Sequence, residues 1–150
     1  MLNCDGEVFK VGNRVNRVNW TDEYSVGVSK LDEQHQMIVT MINKLSANHE
    51  DGHQYEPDQE ILSKMVEYAE LHLKYEEMLM KKHGYPDFDQ HKESHGDFII
   101  ALEHFSKDVV SGNKYKLSPL ILEFLVDWWT NHILEEDMKF KPFFQEKGIS

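Results

Sequence analysis

Apolar positions along most of this chain recur at intervals of three and four residues, the period at which side chains return to one face of an α-helix. Two-residue alternation is essentially absent, so the pattern predicts helices and no sheet. Four long segments emerge between clusters of glycine, proline and asparagine. The first opens at Ser29, where Ser29-Lys30-Leu31-Asp32 resembles a capping box, and carries His35, Ile38, Met41, Ile42 and Leu45 on one stripe before residues 48–53 break it. The second starts at about Pro57, a favoured first-turn residue, and runs through Ile61, Met65, Tyr68, Ala69, His72, Glu76 and Leu79 to a stop at Gly84-Tyr85-Pro86. A third, from near Asp87, places Phe88, His91, His95, Phe98, Leu102, Phe105 and Val109 at strict three-four spacing and ends at Gly112-Asn113. Ser118 and Pro119 then supply the N-cap and first turn of a fourth, with Ile121, Phe124, Leu125, Trp128 and His132 facing inward, to about Met138.

The economical architecture for this pattern is all-α: an up-down-up-down four-helix bundle with short loops, an irregular N-terminal arm over residues 1–28, and a short C-terminal tail containing Phe140, Pro142 and Phe143. A length of 150 residues with 40% apolar content suits one domain around one core. The formal charge of −11 repels phosphate backbones and anionic lipid, so neither nucleic acid nor a membrane surface is an expected partner. Residues 119–129, the most apolar stretch, are too few to span a bilayer and are interrupted by Glu123 and Asp127. Cys4 has no second cysteine to pair with and residues 1–18 hold no apolar targeting run, which makes the cytoplasm the expected compartment.

Nine histidines are the compositional oddity, and their spacing carries the chemistry. An i, i+4 pair puts two ligating side chains on one helix face. Composition alone predicts about two matches of His to His, Asp or Glu at that spacing; the chain has six. His49/His53 spans Asp51-Gly52 and His83/Asp87 spans Gly84 and Pro86, so these four read as loop residues. His104 and Asp108 fall about half a turn from the apolar face and read as surface polars. Three pairs remain, His72/Glu76, His91/His95 and His132/Glu136, each on the apolar stripe of a different helix, and His35 lies alone on the stripe of the first.

One inward histidine is ordinarily a hydrogen-bonded core residue. Five, together with at least two carboxylates, would cost several kcal/mol for each buried ion without a cation to pair with. That donor set exceeds the capacity of one ion and predicts two metals bridged by carboxylates, with three histidines on one and two on the other, whose sixth position stays open. Histidine and carboxylate suit iron, manganese or zinc, and redox use of an open site favours iron.

His35 in Leu31-Asp32-Glu33-Gln34-His35, His72-x-x-x-Glu76, His91-x-x-x-His95 and His132-x-x-x-x-Asp137, taken jointly and in this order, resemble the hemerythrin signature in its bacterial form, over about residues 20–144. The resemblance implies residues 1–19 as an extension, residues 20–150 as the binding bundle, and two iron ions with a bridging oxo or hydroxo group. In that scheme His91, His95 and His132 hold one iron, His35 and His72 the other, and Glu76 and Asp137 bridge them. It further implies a non-enzymatic carrier or store that binds dioxygen reversibly, held as hydroperoxide on the open iron, in a pocket at Ile38, Leu73, Trp128 and Ile133. An oxygen-consuming enzyme would then be the recipient. An oxygen or redox sensor, or a di-iron peroxidase or nitric oxide scavenger, are the other classes the same centre could serve. Helix geometry alone selects Glu136, at i+4 from His132, whereas the family pattern selects Asp137 at i+5, about 140° away on a regular helix. For Asp137 to bridge, the helix must be distorted near its end, as by a π-bulge.

Overall fold

A computed structural model describes residues 17–50, 57–111 and 119–150, with the side chains of 108–111 and 119 outside the description. The expected four-helix bundle is present. Helix α1 spans Ser29–Glu50, α2 Asp58–His83, α3 Phe88–Ser111 and α4 Pro119–Asn131; a π-helical turn, His132–Asp137, then leads into α5, Met138–Glu146. No strand occurs among the described residues. Helix α1 packs between α2 and α4, and α2 packs between α1 and α3. The seam between α3 and α4 is filled by rings: Phe98 stacks on Trp128 with centroids 3.8 Å apart, and Phe105 meets Phe124 edge-on at 5.3 Å.

Local chemistry at the helix ends departs from the sequence reading in one place. Ser29 is already helical, and the first helical carbonyl is that of Val28, which accepts from Asp32 N at 3.0 Å. Asp32 instead reaches back past Val28: Oδ1 accepts from Val26 N at 2.9 Å and Oδ2 from Ser25 Oγ at 2.6 Å. The reciprocal box is thus replaced by one carboxylate that ties down the approaching chain at the positive end of the helix dipole. The α2 terminus behaves as expected: Gly84 takes the left-handed conformation, φ 75°, and Tyr85 N closes the end on Met80 O at 2.9 Å. The expected ends at Gly112-Asn113 and the Ser118 cap lie outside the described residues.

The short tail expected after about Met138 is helical. Helix continues to Glu146, with Phe140 and Phe144 fully buried and Pro142 on the exposed face. Asp137, Phe140 and Phe144 keep the three-four spacing, and the burial of two phenylalanines outweighs the helix bond that Pro142 cannot donate. The α2–α3 turn leans on this extension through Tyr85, which meets Phe140 and Phe143 edge-on. At the other end Lys141 Nζ donates to Ser25 O at 2.8 Å, joining α5 to the N-terminal lead-in. That lead-in is irregular apart from one 3-10 turn, Asp22–Tyr24. It packs earlier than residue 20: Val18 is buried, and its backbone exchanges two 2.9 Å hydrogen bonds with the Asn43 side chain. Residues 1–16 of the expected extension lie outside the described residues.

A candidate dinuclear metal centre

All five inward histidines and two carboxylates converge in the middle of the bundle. His35, His72, Glu76, His91, His95, His132 and Asp137 are each at most 3% exposed. Each comes from the inward stripe of its helix: His35 from α1, His72 and Glu76 one turn apart on α2, His91 and His95 one turn apart on α3. His132 and Asp137 come from the π-turn. There the widened turn holds one residue more than an α-turn, so the i+5 carboxylate returns to the face of His132. Glu136 does not: it is part-exposed and paired with Lys139 at 3.0 Å.

The two carboxylates divide their oxygens between two groups of imidazoles. Glu76 Oε1 faces His91 Nε2 at 2.7 Å and His95 Nε2 at 3.2 Å, while its Oε2 faces His72 Nε2 at 3.4 Å and His35 Nε2 at 3.8 Å. Asp137 Oδ1 lies 3.0 Å from both His91 Nε2 and His132 Nε2, and its Oδ2 lies 3.1 Å from His35 Nε2. Two sets of mutually close donor atoms result, one of His91, His95 and His132, the other of His35 and His72, each completed by Glu76 and Asp137.

These close approaches do not satisfy the groups that make them. His35 Nε2, His72 Nε2, Glu76 Oε2 and both Asp137 oxygens are buried without a hydrogen-bond partner. Five Nε2 lone-pair positions and two carboxylates aimed at common points form a donor set that fits two divalent or trivalent first-row ions. Three of the outward ring nitrogens have polar neighbours, which favour the tautomer that leaves Nε2 to ligate. His95 Nδ1 donates to Glu77 Oε1 at 3.0 Å, His72 Nδ1 to Gln34 Oε1 at 2.8 Å, and His132 Nδ1 makes a longer 3.5 Å contact with Ser94 Oγ.

Electrostatics follow the same division. Burial and the neighbouring Asp137 push the Glu76 carboxyl up, but the close approach of the His72, His91 and His95 rings outweighs them and holds it below the ordinary carboxylate range. Asp137 is held well below that range, its burial outweighed by the charge of His132 and by the close approach of the His132, His35 and His91 rings. His91 is raised to about 10, burial being overcome by Asp137 and Glu76. His95 is raised too, against its burial, by Glu76 and Glu77. His72 is lowered, by burial first and by neighbouring His35 second.

The surroundings differ between the two sides. Ile38, Leu73 and Ile133, three of the expected pocket positions, are buried in the core. Trp128, the fourth, stacks on His132, centroids 4.3 Å apart, and on Phe98, on the three-histidine side. Its neighbour Trp129 is the buried indole, 5.8 Å from His72 and 6.4 Å from His35. The inward stripe of α4 is therefore Leu122, Leu125, Trp129 and His132, with Ile121, Phe124 and Trp128 on its flank. Trp20, stacked on Tyr24, covers His35 from the lead-in at 6.4 Å. A groove of about 420 Å³ between α2 and α3 reaches His95 and Leu73 and gives Glu77 its contact with solvent.

Gln34, Glu77 and Trp129 were not picked out by periodicity. Gln34 and Glu77 stand next in sequence to His35 and Glu76, a position that turns them toward a neighbouring helix. The polar residue beside each inward ligand was the available signal. His49 and His83 prove to be helical, the former in the last turn of α1 against buried Asp58 at 3.3 Å and the latter ending α2. His104 is exposed as expected, while His53 lies outside the described residues.

Comparison with known proteins identifies relatives of the same family and fold. Residues 26–144 match the family model described as the hemerythrin HHE cation binding domain. The chain is 32% identical over 124 residues to a bacteriohemerythrin of Clostridium acetobutylicum, covering 81% of this chain and 96% of the relative. It is also 32% identical over 122 residues to a myohemerythrin of Theromyzon tessulatum, covering 81% and 89%. A crystal structure of a wild-type hemerythrin superposes with a TM-score of 0.75 at 31% identity, covering 83% of this chain and 95% of that one. No helix among the described residues is long and apolar enough to cross a membrane.

Proposed function

The chain belongs to the hemerythrin HHE cation-binding family, and on that premise we propose that it binds dioxygen reversibly, as a carrier or store, at a di-iron centre. His91, His95 and His132 would hold one iron, His35 and His72 the other, with Glu76 and Asp137 bridging. The observation that carries the reading is the unequal division of imidazoles around two carboxylates that each offer one oxygen to either side. It leaves the two-histidine ion one ligand short. When bound, a ferrous pair supplies the two electrons that dioxygen takes up and returns.

The chain's own part is to hold the ligands and keep water out. Gln34 and Glu77 orient His72 and His95 through their Nδ1 atoms. Ile38, Leu73 and Ile133, all buried, and Trp129, whose ring lies beside His72 and His35, would keep protons and solvent from the open side. With two carboxylates rather than four, the donor set gives less support to highly oxidised metal, which favours binding over O–O cleavage.

Iron content per chain, measured with visible spectra through cycles of anaerobic reduction, aeration and deoxygenation, tests the reading. Two irons and a charge-transfer band that comes with air and leaves on its removal are expected. Irreversible oxidation, or turnover of added peroxide or nitric oxide, would replace the carrier with a sensor or an enzyme.

A further inference from the structure

Seven buried side-chain atoms around the centre have no hydrogen-bond partner among the described residues, and six of them belong to His35, His72, Glu76 and Asp137. The seventh is the indole Nε1 of Trp129. Metal ions would satisfy the inward imidazole nitrogens and the carboxylate oxygens, but an indole N–H is a donor only and cannot ligate. Filling the centre with metal therefore leaves Trp129 as it stands. A buried donor with no acceptor costs about 1–3 kcal/mol, and Trp129 is 1% exposed.

Its position says what kind of acceptor would pair with it. The ring lies beside His72 at 5.8 Å and His35 at 6.4 Å, the side with one ligand too few, and the other rings near it are those of Phe98 and Trp128. None of these four offers an oxygen. The other donor that metal on Nε2 would leave unpaired, His35 Nδ1, is on the same side. On the three-histidine side His95 has Glu77 and His132 has Ser94.

We propose that Trp129 Nε1 is a hydrogen-bond donor for a small anion held at the open position beside His35 and His72, which selects ligands with a terminal lone pair over purely apolar ones. The inference rests on the di-iron reading and adds to it a specificity-determining residue.

The test uses iron-loaded, oxidised full-length protein with azide as the probe, titrated by its charge-transfer absorption. Trp129 is replaced site-specifically by β-(3-benzothienyl)alanine, which keeps the ring shape and exchanges N–H for sulfur, and separately by Phe. A hydrogen bond to a charged acceptor is worth about 1.5–3 kcal/mol, so the isostere is expected to weaken azide about tenfold or more at unchanged iron content. Trp129→Phe should weaken it comparably, with its smaller ring adding a packing effect. Equal azide affinity in the wild-type and isosteric proteins, both holding two irons, overturns the role of Trp129 and leaves the di-iron reading intact. A wild-type protein that holds no iron pair overturns both, and one that holds two irons but takes no azide overturns the anion site.

Discussion

Adjacent carboxylates at 136 and 137 give opposite predictions for the same substitution. In Asp137→Ala, three Nε2 atoms lose the oxygen they face: His35 at 3.1 Å, His91 at 3.0 Å and His132 at 3.0 Å. All are buried, and removing one partner of a buried charged set costs about 3–5 kcal/mol because the other is left uncompensated. Relief of the repulsion between Asp137 and Glu76 offsets part of this, placing the expected loss near the lower end, about 3 kcal/mol. For a chain of this size that is about 6–12 °C of melting temperature. Glu136→Ala removes only a part-exposed pair with Lys139, worth about 0.2–1 kcal/mol. Thermal unfolding of the two chelator-treated variants by circular dichroism, followed by iron content after reloading, measures both consequences. Glu136→Ala should keep its metal and Asp137→Ala should lose it. If the metal-free Asp137→Ala protein melts with Glu136→Ala, or Glu136→Ala is the variant that loses iron, the π-turn does not deliver the bridging group and the argument fails.

In the metal-free protein Glu76 and Asp137 titrate below their ordinary 4.5 and 3.8, so their contribution to stability is present above those values and is lost as pH falls further. His91, raised from 6.5 to about 10, contributes fully below 6.5 and progressively less as pH rises through about 10. Metal-free stability should therefore peak between about pH 4.5 and 6.5, and an alkaline limb in urea unfolding that stays flat to pH 10 would contradict it. Metal must displace the protons of His91 and His95, so loading near neutral pH should release protons, detected as buffer-dependent heats in calorimetry. Phe98→Ala, which deletes the ring stacked on Trp128 at 3.8 Å, should cost about 3–5 kcal/mol in urea unfolding; a loss under about 1 kcal/mol would show that the α3–α4 seam closes without it.

Much of the centre is legible because helices impose one period on everything they carry. His72/Glu76 and His91/His95 lie on apolar stripes whose phase is set by Ile61, Met65, Phe98 and Leu102, so their inward direction follows from the sequence. Asp137 is different: periodicity selects Glu136, and only the likeness to a known signature selects Asp137, since a π-turn leaves no mark in a hydrophobic pattern. On α4 two overlapping stripes compete, and the aromatic flank holding Ile121, Phe124 and Trp128 conceals the deeper one through Trp129. The last helix is expected to end near Met138, whereas the burial of Phe140 and Phe144 carries helix on past Pro142 to Glu146. The Asp32 cap eluded prediction for a similar reason, since its partners Ser25 and Val26 precede the box it was assigned to.

The bond from Lys141 to Ser25 closes a span of 116 residues, and the contact of Asp137 with His35 closes one nearly as long. Helical bundles form quickly because most of their contacts are local, whereas these two demand that the ends of the chain meet. A refolding molecule can thus acquire its helices, and even the His72/Glu76 and His91/His95 pairs, before Asp137 reaches His35. Until then the partial donor set would bind metal more weakly, lacking the two-sided division of oxygens. The rate of tight metal capture during refolding should accordingly follow the final closure of the topology rather than the growth of helix, making metal a clock for the last step of assembly.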